Sequence, residues 1–379
     1  MSPAERVGAG AAVVVNAGSS TLKVSVLGPA DTAAGSFNLD PWDGGADHPE
    51  LADFLAHVAD PVVVGHRVVH GGSRFSQAVI IDDEVVAAIA SLADLAPLHQ
   101  PGAVAGIEAA RRLLPGVPHV ACFDTAFHAG MPAAAARYAL PEAWTRQFGL
   151  RRYGFHGLSH AYASRRAADL LGRDPAGLRI VTCHLGAGAS LAAVDGGHSV
   201  DTTMGFTPLE GLVMATRSGS VDPGLITWLL QHKELSIDEI STGLEKSAGL
   251  AGLAGIPSGD MREVLRAADA GDEHALLALD VYVHRLRREI AAMAAAMNGL
   301  DVLVFTGGVG EHSGRVRAAA AEGLGFLGVS LDPAQDEVST DADISGTGPV
   351  RVLVVNARED IEIARQARAV LAGQVSGPG

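Results

Sequence analysis

One local pattern that occurs twice constrains the fold of this chain more than any other feature. An apolar strand runs into a glycine-rich turn and then into a second strand, first in VVVNAGSSTLKVSVL (13–27) and again in IVTCHLGAGASLAAV (180–194). In each copy a polar residue stands near the end of the first strand, Asn16 or His184, with glycine two positions later. The copies lie about half of the 379-residue chain apart, which predicts an internal duplication.

Strands alternate with helical segments along the chain, which predicts an α/β fold. Both copies of the pattern open with a hairpin-like strand pair, so we expect mixed sheets. At about 100–200 residues per domain the length indicates two domains, with a boundary near residue 150. Residues 28–60 are rich in turn residues around one short helix. Helical spacing predicts helices over 102–114, 133–147, 161–171, 223–232, 259–270 and 272–298.

Composition excludes several classes of protein. The chain has 28 basic and 43 acidic residues, a net charge of −15, which argues against a basic face for nucleic acid. No apolar run reaches the roughly 18–20 residues of a membrane span, and the N-terminal apolar stretch is too short for a secretory signal. Cys122 and Cys183 stand in apolar runs, which is typical of buried thiols in a reducing compartment. We therefore expect a cytoplasmic protein with neither nucleic acid nor membrane as a partner.

Glycine turns at strand ends are the main chemical signal. Backbone N–H groups in such a turn can bind phosphate, and three candidates follow apolar strands, at 16–23, 184–190 and 306–313. A single turn of this kind is ordinary, but three together favour a phosphate-binding protein. The chain contains no Gly-Lys pair and so no P-loop, and GLGFLG (323–328) follows a helical stretch, which predicts a helix end.

Two arginines form the second signal. Arg67 lies inside a β-branched run and Arg217 in a loop of small residues, and a buried guanidinium requires an anionic partner. That partner is either a ligand or a structural carboxylate. Asp124 ends an apolar strand, where α/β sheets place chemistry, although a turn or helix-capping role fits equally well. His156 follows two arginines in an aromatic, glycine-rich turn, unlike the other histidines, whose spacing gives no metal motif.

Together these motifs resemble those of the acetate kinases, in the same order from about residue 13 to 372. The segments are NAGSSTLK, GHRVVHGG, LAPLHQP, FDTAFH, RRYGFHGLSH, HLGAGAS, TPLEGL, TRSG, DMR, FTGGVGEHS and the late acidic segment. The resemblance implies two related actin-like (ribonuclease-H-like) α/β domains with a cleft between them, in the superfamily of sugar kinases, hsc70 and actin. Residues 1–150 plus 358–379 would form the N-terminal acceptor-side domain, and 151–357 the nucleotide-binding and dimerisation domain.

The resemblance also implies a role for each motif residue. Arg67 and Arg217 would bind the acetate carboxylate and the transferring phosphoryl group. Asp124 would act at the metal-bound phosphate and the acceptor, and His156 would stabilise the transition state. The methyl group would contact Val69, Leu98, Phe155 and Pro208, and the metal ion Asn16 and Glu359. The nucleotide would contact Lys23, His184, Leu185, Gly186, Ala187, Gly188, Asp260, Met261, Arg262, Gly308, Val309, Gly310, Glu311 and His312.

The implied activity is reversible, in-line phosphoryl transfer between ATP and acetate, dependent on Mg²⁺ or Mn²⁺, by a homodimer. A propionate or other short-chain acyl kinase of the same family is the nearest alternative, and a non-catalytic nucleotide sensor is a more distant one. Three departures stand out. Ala187 and His312 occupy positions where the family usually has asparagine, so the choice of phosphoryl donor is open. The usual acidic metal segment reads Arg358, Glu359, Asp360.

Overall fold

The structure is a computed structural model that describes residues 10–18, 21–45, 48–97, 99–233, 235–333, 338 and 340–373. These residues form two compact units. The first consists of the described residues up to 129, residues 155–162 and the chain from 358 onwards. The second consists of residues 130–154 and 163–357.

The first unit is built on a six-stranded mixed sheet. Its strands are β1 (Ala12–Ala17), β2 (Leu22–Leu27), β3 (Ala33–Leu39), β4 (Val63–Val68), β5 (Val79–Ile80) and β6 (His119–Phe123). They lie in the order β3-β2-β1-β4-β6-β5. The central strands β1, β4 and β6 are parallel to one another, while β2, β3 and β5 each run antiparallel to a neighbour. Apolar β-branched runs therefore occupy the buried centre of the sheet.

The second unit repeats this sheet strand for strand. Its strands are β7 (Arg179–Leu185), β8 (Ala189–Asp195), β9 (His198–Thr202), β10 (Val302–Thr306), β11 (Ala342–Asp343) and β12 (Arg351–Val354). The order β9-β8-β7-β10-β12-β11 has the same connections and the same strand directions as the first sheet. The structure thus confirms the α/β class with two mixed sheets, and it confirms the internal duplication.

Fourteen helices accompany the two sheets in the described part of the chain. They are α1 (Pro49–Ala56), α2 (Asp83–Ala90), α3 (Gln100–Leu113), α4 (Ala133–Ala136), α5 (Glu142–Phe148), α6 (Gly157–Leu171), α7 (Pro223–His232), α8 (Ile237–Lys246), α9 (Gly249–Ala254), α10 (Met261–Asp269), α11 (Glu273–Ala296), α12 (Gly307–His312), α13 (Gly314–Glu322) and α14 (Glu359–Leu371). Among them, none combines the length and the apolar character needed to cross a bilayer.

Three local predictions were wrong. The helix expected over 133–147 is two helices, because the chain is extended at Arg137 and Pro141 starts α5 afresh. The third glycine turn is the helix α12, which begins directly after β10. Residues 28–60 contain the predicted short helix, which is α1, but also the unpredicted strand β3, whose alternating exposed and half-buried residues give only a weak pattern. The predicted helix end at 323–328 is confirmed, since α13 ends at Glu322.

Both faces of the first sheet are covered by helices. On one face Ile363, Ala364 and Ala367 of α14 pack with the strand residues Val14 and Val63 in one buried cluster. The backbone of β4 approaches α14 so closely at Gly65 that a Cβ atom there would lie 2.6 Å from Ile363 Cγ2. The other face packs against α3. This packing fixes the carboxyl ends of the central strands.

Candidate active site

The carboxyl ends of the three parallel strands bring three polar residues to one edge of the first sheet. Asn16 is the penultimate residue of β1, Arg67 that of β4, and Asp124 directly follows β6. Because these strands are neighbours, the residues lie next to each other although up to about a hundred positions separate them in the sequence.

A bidentate contact joins the arginine to the aspartate. Arg67 donates to Asp124 Oδ2 from Nε at 3.1 Å and from Nη2 at 2.7 Å. The Asp124 side chain is 1% exposed and that of Arg67 22%. Arg67 Nη1 also donates to Asn16 Oδ1 at 3.4 Å. The half-buried guanidinium group of Arg67 therefore has the anionic partner that the sequence requires.

Electrostatics leave both groups charged near neutral pH. Burial alone would lower the pKa of Arg67, but the charges of Asp124 and Glu359 outweigh it and raise that pKa. Burial raises the pKa of Asp124 to about 6, with Arg67 opposing the shift and Glu359 adding to it. At pH 7 and above the carboxyl group of Asp124 is mostly ionised.

Glu359 joins this site from the first turn of α14. Its Oε2 lies 3.5 Å from Arg67 Nε. The neighbouring acid is otherwise engaged, since Asp360 accepts from Arg358 Nε at 2.9 Å and from Nη2 at 3.0 Å. Of the two acids in this segment, Glu359 is therefore the one placed beside Arg67 and Asp124.

The oxygen atoms at this edge suit a magnesium ion. Asp124 Oδ1 is buried and has no hydrogen-bond partner within the described residues. A buried carboxylate oxygen without a donor requires a cation or another donor. The described residues hold no group of three or more His, Cys, Asp or Glu arranged as a complete metal cage. Mg²⁺ commonly binds through one or two carboxylates together with water and substrate phosphates, so the residues present fit this ion.

His156 and the residues expected to contact the methyl group are placed as follows. His156 precedes α6 with a φ of 56°, a left-handed conformation that is uncommon for a residue with a side chain. Phe155 is 2% exposed and makes an edge contact with the ring of His70 at 5.5 Å. Val69 is half-buried directly after β4. Leu98 lies outside the described residues.

Arg217 and Pro208 lie in the second unit. Arg217 Nη1 donates to the carbonyl oxygen of Pro208 at 3.2 Å and contacts the sulfur of Met214. Burial lowers the pKa of Arg217, with Glu245 opposing. Within the described residues no carboxylate lies at ion-pair distance from Arg217, in contrast to Arg67. A half-buried guanidinium without a carboxylate partner suits an anionic ligand.

The second unit contains a pocket of about 400 Å³ where three of the predicted nucleotide segments meet. The turn between β7 and β8 contributes Gly186 and Ala187, and the helices α10 and α12 supply further lining. The full lining is Gly186, Ala187, Ala215, Leu250, Ser258, Gly259, Asp260, Met261, Arg262, Leu265, Tyr282, Gly308, Val309, His312 and Ser313. A mostly apolar lining with a few polar groups is typical of a small-molecule site.

Some predicted nucleotide residues do not line this pocket. Among the described residues, its lining omits His184, Leu185, Gly188, Gly310 and Glu311. Lys23 belongs to the first unit, where it is exposed on β2 in register with Asn16 of β1.

Glu311 does not line the pocket because its carboxylate group binds other parts of the protein. Its Oε1 accepts from the backbone N–H groups of Gly307 and Ala357, both at 2.9 Å, and its Oε2 accepts from Asn356 Nδ2 at 2.9 Å. Both carboxylate oxygens are thus used inside the protein. These bonds join the start of α12 to the chain that follows β12.

Sequence reasoning missed several residues of the pocket, of which Tyr282 is the most informative. It comes from the middle of α11, and its hydroxyl group is buried without a hydrogen-bond partner in the described residues. Helical spacing marks Tyr282 only as a core residue. Ser258 and Gly259 directly precede the DMR motif in the sequence, and this position could have predicted that they line the pocket.

The chain is similar in sequence and in structure to acetate and propionate kinases. The sequence profile described as the Acetokinase family matches residues 50–365. An acetate kinase of Gloeobacter violaceus is 54% identical over 315 residues, which cover 82% of this chain and 77% of that protein. The crystal structure of Porphyromonas gingivalis acetate kinase has a TM-score of 0.87 at 37% identity, covering 96% of this chain and all of that one. A propionate kinase from Francisella tularensis also has a TM-score of 0.87, at 35% identity, covering 95% and 99%.

These matches first define the class of protein: the chain is a kinase that transfers a phosphate group to a carboxylate. The matching profile spans most of the chain, and relatives about 50% identical cover more than two thirds of it. The chain belongs to the Acetokinase family.

Proposed function

We propose that the protein catalyses reversible phosphoryl transfer between ATP and acetate, giving acetyl phosphate and ADP. The observation that carries the proposal is the buried Arg67–Asp124 pair, which leaves one carboxylate oxygen without a donor at the carboxyl ends of parallel strands. An arginine for the anionic acceptor and an oxygen for a cation are what this reaction needs. The acetate kinases among the relatives support acetate as the acceptor.

The main obstacle in this reaction is repulsion between anions. Acetate is ionised near neutral pH, so the reaction needs no strong general base, but the acceptor must approach a polyanionic phosphate. In our proposal Arg67 binds the acetate carboxylate and Arg217 the transferring phosphoryl group, which offsets the repulsion. His156 donates a hydrogen bond to the transferring group, and its strained backbone is consistent with a fixed direction for the ring.

We assign the metal ion to the first unit. Asp124, Asn16 and Glu359 would hold Mg²⁺, partly through water, and Mn²⁺ is an alternative with similar ligands. The ion, when bound, neutralises charge on the phosphate oxygens. Asp124 acts through its charge and as a ligand rather than by removing a proton, since the acceptor carries none to remove.

The pocket in the second unit is our proposed site for the nucleotide. A ligand can approach the backbone of three lining residues closely, namely Gly186, Gly308 and Val309. Asp260 carries a full negative charge, because hydrogen bonds from Arg262 lower its pKa to about 2. Ala187 and His312 line the pocket at the two positions where the family usually has asparagine. Lys23 and His184 are assigned to the phosphate groups by resemblance alone.

Propionate or another short-chain carboxylate is the second candidate acceptor, which the propionate kinase among the solved structures favours. One CH₂ group is worth only about 0.8 kcal/mol of burial, so the residues assigned to the methyl group by resemblance do not decide between the two acids. A nucleotide sensor without activity is disfavoured, because a sensor does not need the acceptor-side residues Arg67, Asp124 and Arg217.

We further propose a cytoplasmic homodimer. Its support is the helix α7, which has no buried residue although it carries Leu225, Trp228 and Leu230. Ile237 at the start of α8 is 72% exposed. Several exposed large apolar side chains close together in the sequence are typical of a subunit interface. Cys122 and Cys183 are both free thiols, as expected in a reducing compartment.

The test is direct. The purified protein is incubated with ATP, Mg²⁺ and acetate, and acyl phosphate is trapped with hydroxylamine, with propionate and butyrate in parallel. We expect acetyl hydroxamate that depends on both ATP and the metal ion. Absence of product with all three acids would refute the proposal, and a higher kcat/KM for propionate than for acetate would select the second candidate.

A further inference from the structure

A half-buried polar cluster in the second unit has no role in the mechanism described so far. We call it the Glu210 clasp, and its members are Tyr138, Arg152, Gly205 and Glu210. Glu210 Oε1 accepts from Arg152 Nη2 at 2.7 Å, and Oε2 accepts from the Tyr138 hydroxyl group at 2.6 Å. The Arg152 guanidinium group lies over the Tyr138 ring at 5.5 Å. Both carboxylate oxygens are thus held in place by rigid donors.

The clasp also binds the backbone of residues 203–206. Arg152 Nη1 donates to the carbonyl oxygens of Thr203 at 3.2 Å and Met204 at 3.1 Å. The Tyr138 hydroxyl oxygen accepts from the backbone N–H of Phe206 at 2.8 Å. Two side chains therefore determine the path of this segment, which has no strand or helix of its own.

Position 205 has room for glycine, and a larger residue would displace two side-chain ends of the clasp. A Cβ atom there would overlap Glu210 Oε2 and the Tyr138 hydroxyl group. The carbonyl oxygen of Gly205 accepts from the backbone N–H groups of Tyr153 at 3.1 Å and Gly154 at 3.3 Å. The segment is thus fixed by backbone contacts as well as by side chains.

The same segment continues into Pro208 and then to Arg217. The carbonyl oxygen of Pro208 accepts from Arg217 Nη1. Directly after Glu210, Gly211 exchanges two hydrogen bonds with Ser220, at 3.1 Å and 3.0 Å. The chain around Arg217 is therefore attached, on both sides of Glu210, to backbone that the clasp holds.

We propose that Glu210 is a positioning residue for phosphoryl transfer. By fixing residues 203–210, it sets the place of Pro208 and, through the Pro208 carbonyl group, the direction of the Arg217 guanidinium group. The inference rests on the proposed function, in which Pro208 contacts the acceptor and Arg217 the transferring group. No member of the clasp lines the pocket assigned to the nucleotide. Disturbing the clasp should therefore affect the acceptor and turnover, and leave ATP binding nearly unchanged.

The test compares Glu210→Gln and Tyr138→Phe with the wild type in steady-state assays. A displacement of about 1 Å near reacting groups can cost up to about 100-fold in rate, and we expect kcat/KM for acetate to fall about 10-fold. The propionate-to-acetate ratio of kcat/KM should change, while the KM for ATP stays within about twofold. Glu142→Gln is the matched control, because Glu142 pairs with Arg137 at 2.8 Å on the exposed surface of the same unit. It should leave every parameter unchanged.

A purely structural role gives a different pattern. The inference is overturned if the variants lower only the melting temperature, or if the KM for ATP and the acetate parameters worsen equally. Should Glu210→Gln fail to fold, Tyr138→Phe decides, because it keeps the ring and removes only the hydroxyl group. A wild-type protein that phosphorylates no carboxylate refutes the proposed function and this inference together. An active wild type with unchanged acetate parameters in the variants refutes the inference alone.

Discussion

Replacing Asp124 by asparagine should stabilise the protein at neutral pH while it abolishes activity. Burial raises the pKa of Asp124 to about 6 from an ordinary 3.8, despite the opposing charge of Arg67. A carboxyl group with a higher pKa in the folded state holds its proton more tightly there than in the unfolded chain. Its contribution to stability is therefore fully present below about pH 3.8 and is lost as the pH rises through about 6.

The size of the effect follows from the difference between the two pKa values. About two pKa units correspond to ~3 kcal/mol, at 1.36 kcal/mol per unit. Asparagine resembles the protonated carboxyl group in shape and in lacking charge. The attraction of Arg67 is already included in the pKa of about 6, so it need not be counted again. We expect the free energy of unfolding of Asp124→Asn to exceed that of the wild type by up to ~3 kcal/mol at pH 7.5 and by little at pH 4.

Tryptophan fluorescence can follow the first unit during urea unfolding. Trp42 is 3% exposed in the core of that unit, whereas Trp144 and Trp228 in the second unit are 53% and 45% exposed. The chain contains three tryptophans, and Trp228 lies on the helix that we assign to the subunit interface. Trp144 and Trp228 are therefore replaced by phenylalanine in every variant, so that the emission reports Trp42 alone. Unfolding curves between pH 4 and pH 7.5 then give the stability difference as a function of pH.

Asp301→Asn, in the second unit, is the control with the opposite sign, and its unfolding is followed by far-UV circular dichroism because Trp42 reports only the first unit. Hydrogen bonds from Arg179, at 2.9 Å and 3.0 Å, lower the pKa of Asp301. Asp301 therefore stabilises the fold above its unfolded-state pKa, and that contribution is lost as the pH falls. Asp301→Asn should be less stable than the wild type at pH 7.5. If Asp124→Asn were also less stable there, or if its advantage did not vary with pH, the reasoning about burial would be wrong.

Three further predictions concern catalysis. Arg217→Ala should lower kcat on the order of 10³-fold and change the KM for ATP little, because its contact strengthens in the transition state; near-normal turnover would remove Arg217 from the mechanism. Arg67→Lys should raise the KM for acetate, since an ammonium group cannot offer a carboxylate the two-donor fork of a guanidinium group, and a wild-type KM would contradict this role. With Ala187 and His312 in place of amides, GTP, ITP and CTP should reach kcat/KM values within roughly 100-fold of ATP, and a stronger preference for ATP in parallel assays would show that selectivity is intact.

The contact between Arg67 and Asp124 is the part of the site that follows most directly from the sequence. An arginine in an apolar β-branched run needs an anion, and an aspartate at a strand end can provide it when the two strands are adjacent and parallel. Adjacency could not be predicted, because it depends on strand order. The part played by Glu359 also depended on tertiary structure, since the pairing of Arg358 with Asp360 decides which acid faces Arg67.

The second-unit pocket was predicted less completely. Motifs pointed to its glycine-rich segments, but Tyr282 comes from the middle of a long helix, where spacing predicts only burial. The helix α12 was expected to be a turn because glycine disfavours helix by about 1 kcal/mol per residue. Glu311 offsets this locally by binding Gly307 and Ala357, a contact between distant parts of the chain that no local pattern reveals.

The helix α14 covers one face of the first sheet, yet it is synthesised after every strand that it covers. Val63 and Cys122 of that face are synthesised long before Ile363 and Ala367, which bury them. At about 5–20 residues per second the interval is roughly 10–60 s. During this time the face is open to water and to chaperones, and the Glu359 carboxylate is not yet beside Arg67. Translation order therefore delays closure of the first core, and assembly of its arginine–carboxylate site, until α14 has been synthesised.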